Sequence, residues 1–410
     1  MTAVPGLGLL ARVFARIGLI SFGGVAGQLA LMHDEAVVRR RWIDEPTYLR
    51  ALNFCMLLPG PEAQQLATFI GWRLAGWRGA VITGGLFILP GALIMAGLAW
   101  ITAAHGDVPA IAALFAGVKP VVVGIVAAAL WRLGRRTLTA FQPFIVAALA
   151  LLLILVLKVP FPAIVIGAGL IGFFLPRHDE RAPPAVSARP AAGSMGRLFG
   201  LIGIFALLWA VPVGATVYLA GGVFPDLARL FTQSAFVTFG GAYAVLPYIA
   251  DKAVHVFGWL TAGEMVNGLA LAESTPGPVI LVLEYVGFLA AYKAPAALDP
   301  LTAGMLGAAL VTYVTFLPSF LFILAGAPMI EALSRSRAAA GALAMITAAV
   351  VGVMANLAIF FGQAVLLPAG QPDWSAAALA LAALIAALRL KLATHWLVAA
   401  GAAFGLALYG

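Results

Sequence analysis

Two tracts of helix-breaking residues each occur twice in this chain. Pro59-Gly60-Pro61 returns as Pro276-Gly277-Pro278, and Phe22-Gly23-Gly24 returns as Phe239-Gly240-Gly241, both 217 residues later. Proline has no amide proton and pushes the residue before it out of the α region, so each Pro-Gly-Pro must end one helical piece. A new piece can begin at Pro61, because proline suits the first helical position. The amides of Glu62, Ala63 and Gln64 are then unpaired donors at the positive end of a helix dipole, a ready site for an anion. Thr275-Pro276-Gly277-Pro278 offers the amides of Val279 and Ile280 in the same way.

Other side chains supply charge. Lys119 falls near the middle of an apolar stretch, where a lone cation is expensive and marks a functional candidate. Glu62, Gln64, Gln65 and Asn53 decorate the first broken tract; Glu273, Ser274, Thr275 and Glu284 decorate the second. A carboxylate beside an anion site is repulsive unless protonated, paired or turned away. Glu62 and Glu284 are therefore candidates for proton coupling, with Arg73 as an alternative partner for Glu62. The paired glycines after Phe22 and Phe239 cost about 1 kcal/mol each inside a helix. Close approach of backbone to backbone, or of backbone to ligand, would compensate. A single Pro-Gly-Pro reads as a packing kink. Two at matched positions, beside two Phe-Gly-Gly tracts, read as a substrate site at membrane depth, where broken backbone must be buried or line a watery cavity.

The elements that must carry these tracts are membrane helices. Hydrophobic residues make up 63% of the chain and charged residues only 10%, and the mean hydropathy is +1.05. Soluble domains carry about 25% charged residues. Apolar stretches of near-spanning length run at 80–104, 108–131, 141–157, 160–175, 198–220, 303–326, 338–362, 374–388 and 393–409. The net charge of +8 does not indicate nucleic acid, because the basic residues lie between spans and form no stripe with interleaved aromatics. Cys55 is the only cysteine, which leaves no internal disulfide and no thiolate metal site. No GxxxxGK[ST], HExxH or GxSxG occurs, so an ATP-driven pump or an intramembrane hydrolase lacks its usual handles. Neither a cofactor nor a metal is called for, and no removable signal peptide is evident at the N-terminus.

The duplication runs beyond the breaks. Phe14/Phe231, Asp34/Asp251, Ala36/Ala253, Trp42/Trp259 and Leu52/Leu269 keep the 217-residue register. Later pairs, including Pro90/Pro318 and Gly124/Gly352, keep a register of 228, which places an insertion of eleven residues around 292–302. Arg39, Arg40, Arg41, Arg132, Arg135 and Arg136 have no basic counterparts, whereas the turn His105-Gly106-Asp107 matches Arg335 and Arg337. Charge bias has changed sides, as an inverted-topology repeat predicts. The stretch at 198–220 has no partner, and one extra crossing is what turns the second copy over.

The ordered words SFGG and LLPGPEAQQLA, then TFGG and STPGP, resemble the two homologous domains of a long-chain chromate transporter. The resemblance covers the chain from Phe14 to Phe361. It implies a bacterial inner-membrane protein that exports chromate, with sulfate as the close competitor. It places family motif residues on Phe22, Gly23, Gly24, Pro59, Gly60, Pro61, Glu62, Gln64 and Gln65, and on Phe239, Gly240, Gly241, Pro276, Gly277 and Pro278. Val279, Leu281 and Val282 replace the Glu and Gln residues in the second copy, so those side-chain roles do not transfer.

The expectation is an all-α multi-pass membrane protein of two homologous domains, arranged as an inverted-topology repeat with broken or re-entrant helices. Its parts are a first repeat at 1–175, a cytoplasmic linker at 176–197, an unpaired helix at 198–220 and a second repeat at 221–410. Its partners are a chromate-like or sulfate-like oxyanion and the lipid bilayer. A homodimer is compatible with such a carrier, although no surface singles itself out.

Overall fold

The computed structural model describes residues 5–22, 24–174, 195–239, 241–327 and 337–410. The linker at 176–194, Arg335, Gly23 and Gly240 lie outside the described residues. Among the described residues the regular structure is entirely helical. The first half comprises α1 (Leu7–Ile20), α2 (Gly24–His33), α3 (Glu45–Leu57), α4 (Glu62–His105), α5 (Pro109–Thr137), α6 (Phe141–Leu155) and α7 (Phe161–Phe174). After α8 (Met195–Ala220) the same order returns. Its elements are α9 (Phe224–Val237), α10 (Ala242–Asp251), α11 (Ala262–Ser274), α12 (Val282–Lys293), α13 (Pro300–Gly326), α14 (Arg337–Leu366), α15 (Trp374–Ile385) and α16 (Thr394–Tyr409).

Small details return with the order. Both α2 and α10 widen into a π turn, Asp34–Arg39 and Lys252–Val256. Each turn is closed by one bond in two copies, Trp42 N to Ala36 O and Trp259 N to Ala253 O, both 2.8 Å. The corners between α6 and α7 and between α15 and α16 each place a lysine, Lys158 and Lys391, in the left-handed region. Asp34, one of the matched residues of the repeat, pairs with Arg39 at 2.7 Å. Side-chain caps stand elsewhere: Asp44, Asp299 and Asp373 accept from Thr47, Thr302 and Ala376 amides. Thr261 and Glu264 form a reciprocal capping box at the start of α11.

One helix hides a reversal. At Ala75 and Gly76 the dihedrals of α4 leave the helical region, with φ +63° at the glycine. The pieces on either side lie together, since the Thr83 hydroxyl donates to the Ala67 carbonyl at 2.7 Å. In the second half the same reversal is made by α12, the loop at 294–299 and α13, and the extra residues expected around 292–302 fall on that loop.

Among the described residues, five helices are long and apolar enough to cross a membrane: Glu62–His105, Pro109–Thr137, Leu198–Ala220, Pro300–Gly326 and Ala338–Leu366. Trp77, Trp131, Trp374 and Trp396 are exposed near helix ends, the position where amphipathic rings mark a membrane interface. The chain is an integral multi-pass membrane protein. Its halves exchange helices: α6 and α7 pack on α14, while α15 and α16 pack on α5. Gly124 lies against the Ala380 carbonyl and its counterpart Gly352 against the Ala147 carbonyl, close approaches that a side chain would block. Each repeat is thus completed by the other.

Candidate functional site

Each Pro-Gly-Pro break is held by the opposite half of the chain. The Gly277 amide donates to the Ser21 carbonyl at 3.1 Å, and the Gly60 amide donates to the Thr238 carbonyl at 2.7 Å. Ser21 precedes Phe22 and Thr238 precedes Phe239, so one cross-half bond is made twice. Gly60 and Gly277 adopt φ +120° and +109°, where a side chain is strained. Space is closed as well. Gly60 faces Ser319 and Gln65, whereas Gly277 and the Pro276 carbonyl lie against Gly91. Gly91 and Ser319 follow the matched prolines Pro90 and Pro318. The four breaks therefore meet in pairs inside the protein.

The expected donors are present in the first half. The first backbone bond of α4 runs from Gln65 N to Pro61 O at 3.0 Å. The amides of Glu62, Ala63 and Gln64 precede it and have no acceptor among the described residues. The second half differs from expectation. Past Pro278 the chain makes a tight 3-10 turn at Val279–Leu281, and α12 begins only at Val282. Gln65 returns to the Pro59 carbonyl at 2.7 Å in the first half. Val282 stands at the matching position and has no donor to do so.

Buried acceptors face the same region. Gln28 Nε2 donates to the Gly277 carbonyl at 2.6 Å, and Gln64 Nε2 donates to Thr68 Oγ1 at 2.9 Å. The Oε1 atoms of Gln28, Gln64 and Gln65 have no partner among the described residues. A buried orphan acceptor costs about 1–3 kcal/mol, so these oxygens favour a ligand or water that brings its own protons. The site thus presents amide donors and amide acceptors together.

The remaining candidates separate by distance from the breaks. Phe22 packs its ring 5.3 Å from His395, and Phe239 is partly buried. Gly24 and Gly241 take φ +71° and +91° beside the undescribed Gly23 and Gly240. Glu62 is partly exposed at the start of α4 and, among the described residues, makes no ion pair with Arg73. Arg73 and Asn53 are exposed, Arg73 near the reversal where Arg78 covers the Trp77 ring. Glu284 is buried and accepts from the Thr312 hydroxyl at 2.9 Å. Lys119 reaches Gly263 at the start of α11. That helix is about 18 Å long, so Lys119 sits at its far end from Thr275 and the structure does not bring it to the break.

Sequence reasoning passed over one constellation. Tyr243 follows Gly241 and donates its hydroxyl to Glu273, two residues before Thr275. The Thr394 hydroxyl donates to the Glu273 backbone carbonyl at 3.4 Å, which brings the adjacent His395 to Phe22. A tyrosine two residues past Phe-Gly-Gly was the available signal. The contribution of α16 was not legible, because it arrives through the exchange of helices between halves.

The sequence profile of the chromate transporter family matches residues 8–173 and 225–406, one segment in each half. This chain belongs to the chromate transporter family. Among chromate transporters, a chromate transport protein of Pseudomonas aeruginosa is 29% identical over 359 residues, 87% of this chain and 80% of that protein. Another from Cupriavidus metallidurans is 27% identical over 411 residues, 98% of this chain and 92% of that protein. No solved structure matches this family member significantly.

Proposed function

We propose that this protein is a secondary carrier that exports chromate from the cytoplasm across the bacterial inner membrane. The paired helix breaks form its substrate site. The observation that carries this reading is the reciprocal bonding of Gly60 to Thr238 and Gly277 to Ser21. It ties each Pro-Gly-Pro break to the glycine break of the other half, which supports a shared anion site built from the amides that follow Pro61 and Pro278. The relatives bear the name chromate transport protein, which supports chromate as the cargo.

In this reading 1–175 and 221–410 are inverted copies, joined by the linker at 176–197 and the unpaired crossing at 198–220. The exchange of α6–α7 for α15–α16 supports such a pseudo-symmetric pair. Alternating access is then a rocking of exchanged helices about the fixed breaks. Amides and Gln side chains recognise size and charge, so sulfate competes at the same site. Lys119 acts at the approach to the site rather than in it. Each negative charge leaving an inside-negative cell gains about 2.3 kcal/mol per 100 mV, so export runs downhill without a second ion.

The test is uptake of radiolabelled chromate into inverted membrane vesicles, with and without sulfate. Saturable, potential-driven uptake that sulfate inhibits supports the reading. Non-saturable flux would indicate a channel, and no flux would remove chromate as the cargo.

A further inference from the structure

We propose that Glu273, held by the Tyr243 hydroxyl between the two Phe-Gly-Gly breaks, takes up a proton when the anion binds and gives it back when the anion leaves. The inference rests on the oxyanion-carrier reading above and names the group that makes a dianion tolerable there.

Glu273 is 4% exposed and lies two residues before Thr275. Its carboxylate meets Tyr243, the second residue after the Gly241 break. Its backbone carbonyl meets Thr394, whose neighbour His395 packs on Phe22 of the other break. A single residue is therefore linked to both Phe-Gly-Gly tracts, by its carboxylate to Tyr243 and by its backbone carbonyl to Thr394, and stands at the end of the helix that runs into Pro276. Its counterpart in the first half is Met56, so the group is single although the breaks are double.

The surrounding charges do not neutralise it. Among the described residues Glu273 makes no ion pair. From α5 comes Arg132, which is exposed, and from α10 comes Tyr243. From α16 comes His395, whose Nδ1 is buried and has no partner among the described residues. From α12 come Tyr285 and Glu284, the latter turned to Thr312. The α4 helix brings Glu62 at its start, α14 has no titratable side chain between Ala338 and Leu366, and Glu264 of α11 is engaged with Lys293 at the other end.

A carboxylate within a few ångströms of a dianion is strongly repelled in a low-dielectric interior. One proton removes that repulsion. It is drawn from water or buffer, forms the O–H bond of the Glu273 carboxyl, and returns on release; no other bond is made or broken. The cycle moves two negative charges and one proton outward, which leaves one net charge for the membrane potential to drive.

Calorimetric titration of the purified full-length protein with chromate, in buffers of different ionisation enthalpy between about pH 6 and pH 9, counts the protons taken up. About one proton per bound anion is expected for the native protein and none for Glu273→Gln, which still binds. Glu284→Gln should keep the native count. Tyr243 is a positioning residue, so Tyr243→Phe should keep the count but move its pH midpoint upward, because the charged carboxylate loses a donor. This second variant decides the matter if Glu273→Gln fails to fold. Binding without proton uptake, an unchanged count in Glu273→Gln, or an unmoved midpoint in Tyr243→Phe overturns the inference while the carrier reading stands. Absence of binding by the native protein overturns both.

Discussion

The amide of Gly60 and the carbonyl of Thr238 lie 2.7 Å apart, although 178 residues separate them in the chain. The bond from Gly277 to Ser21 is its repeat counterpart. Each proline break thereby borrows its acceptor from the glycine break of the other half. Gly60→Ala and Gly277→Ala should each abolish chromate uptake. A side chain at φ above +100° is strained by about 1–3 kcal/mol, and Ser319 or Gly91 blocks the space. Gly85→Ala is the control, since nothing lies near a Cβ there. Comparable loss in the control would place the effect outside the breaks.

Inverted copies put equivalent corners on opposite membrane faces. Leu157 and Leu390 are matched corner residues, 63% and 67% exposed. In a Cys55→Ser background, Leu157→Cys and Leu390→Cys should react with an impermeant maleimide from opposite sides of intact cells or inverted vesicles. Cys55 itself is fully buried, so it should contribute no background labelling even where it is retained. Labelling of both corners from one side would make the repeat parallel.

A stability test lies away from the site. Asp373 caps α15, accepting from the Ala376 amide at 2.9 Å and the Ser375 hydroxyl at 2.6 Å. The Ser375 hydroxyl first, and the Ala376 amide after it, hold its carboxyl below the usual carboxylate value. A depressed value means the contribution is complete above about pH 4 and is lost as pH falls through the lowered value. Asp373→Ala should cost about 1 kcal/mol at neutral pH. The deficit should shrink in melting experiments at the most acidic pH the detergent tolerates, and a deficit independent of pH would refute the cap.

The breaks were legible because proline and paired glycines punctuate a helix whatever surrounds them, and the 217-residue register fixed their pairing. Each of the nine apolar stretches lies on a helix, since the bilayer's demand for satisfied backbone leaves little alternative. The reversal at Ala75 and Gly76 escaped notice. A single glycine in an apolar run looks like packing until the Thr83 contact with Ala67 shows the two pieces side by side. The Tyr243–Glu273 pair escaped for a different reason. The two residues are distant in sequence and have no repeat partners, Ala26 and Met56 standing at the matching positions, so duplication could not reveal them.

Lys119 shows the same dependence on packing: it lies inside α5, as its place in the apolar stretch implies, but what it faces is set by the neighbouring helix. In the structure its amine faces Gly263, beside a Glu264 that Lys293 already holds at 2.6 Å. A cation there draws an anion toward the start of α11 without touching the backbone donors about 18 Å away. Lys119→Ala should therefore raise the KM for chromate several-fold, leave the maximal rate near its native value and weaken the dependence of uptake on ionic strength. Uptake kinetics in inverted vesicles at two salt concentrations separate these effects. A collapsed maximal rate with unchanged KM would put the lysine inside the site, and unchanged kinetics would leave it with no part in transport.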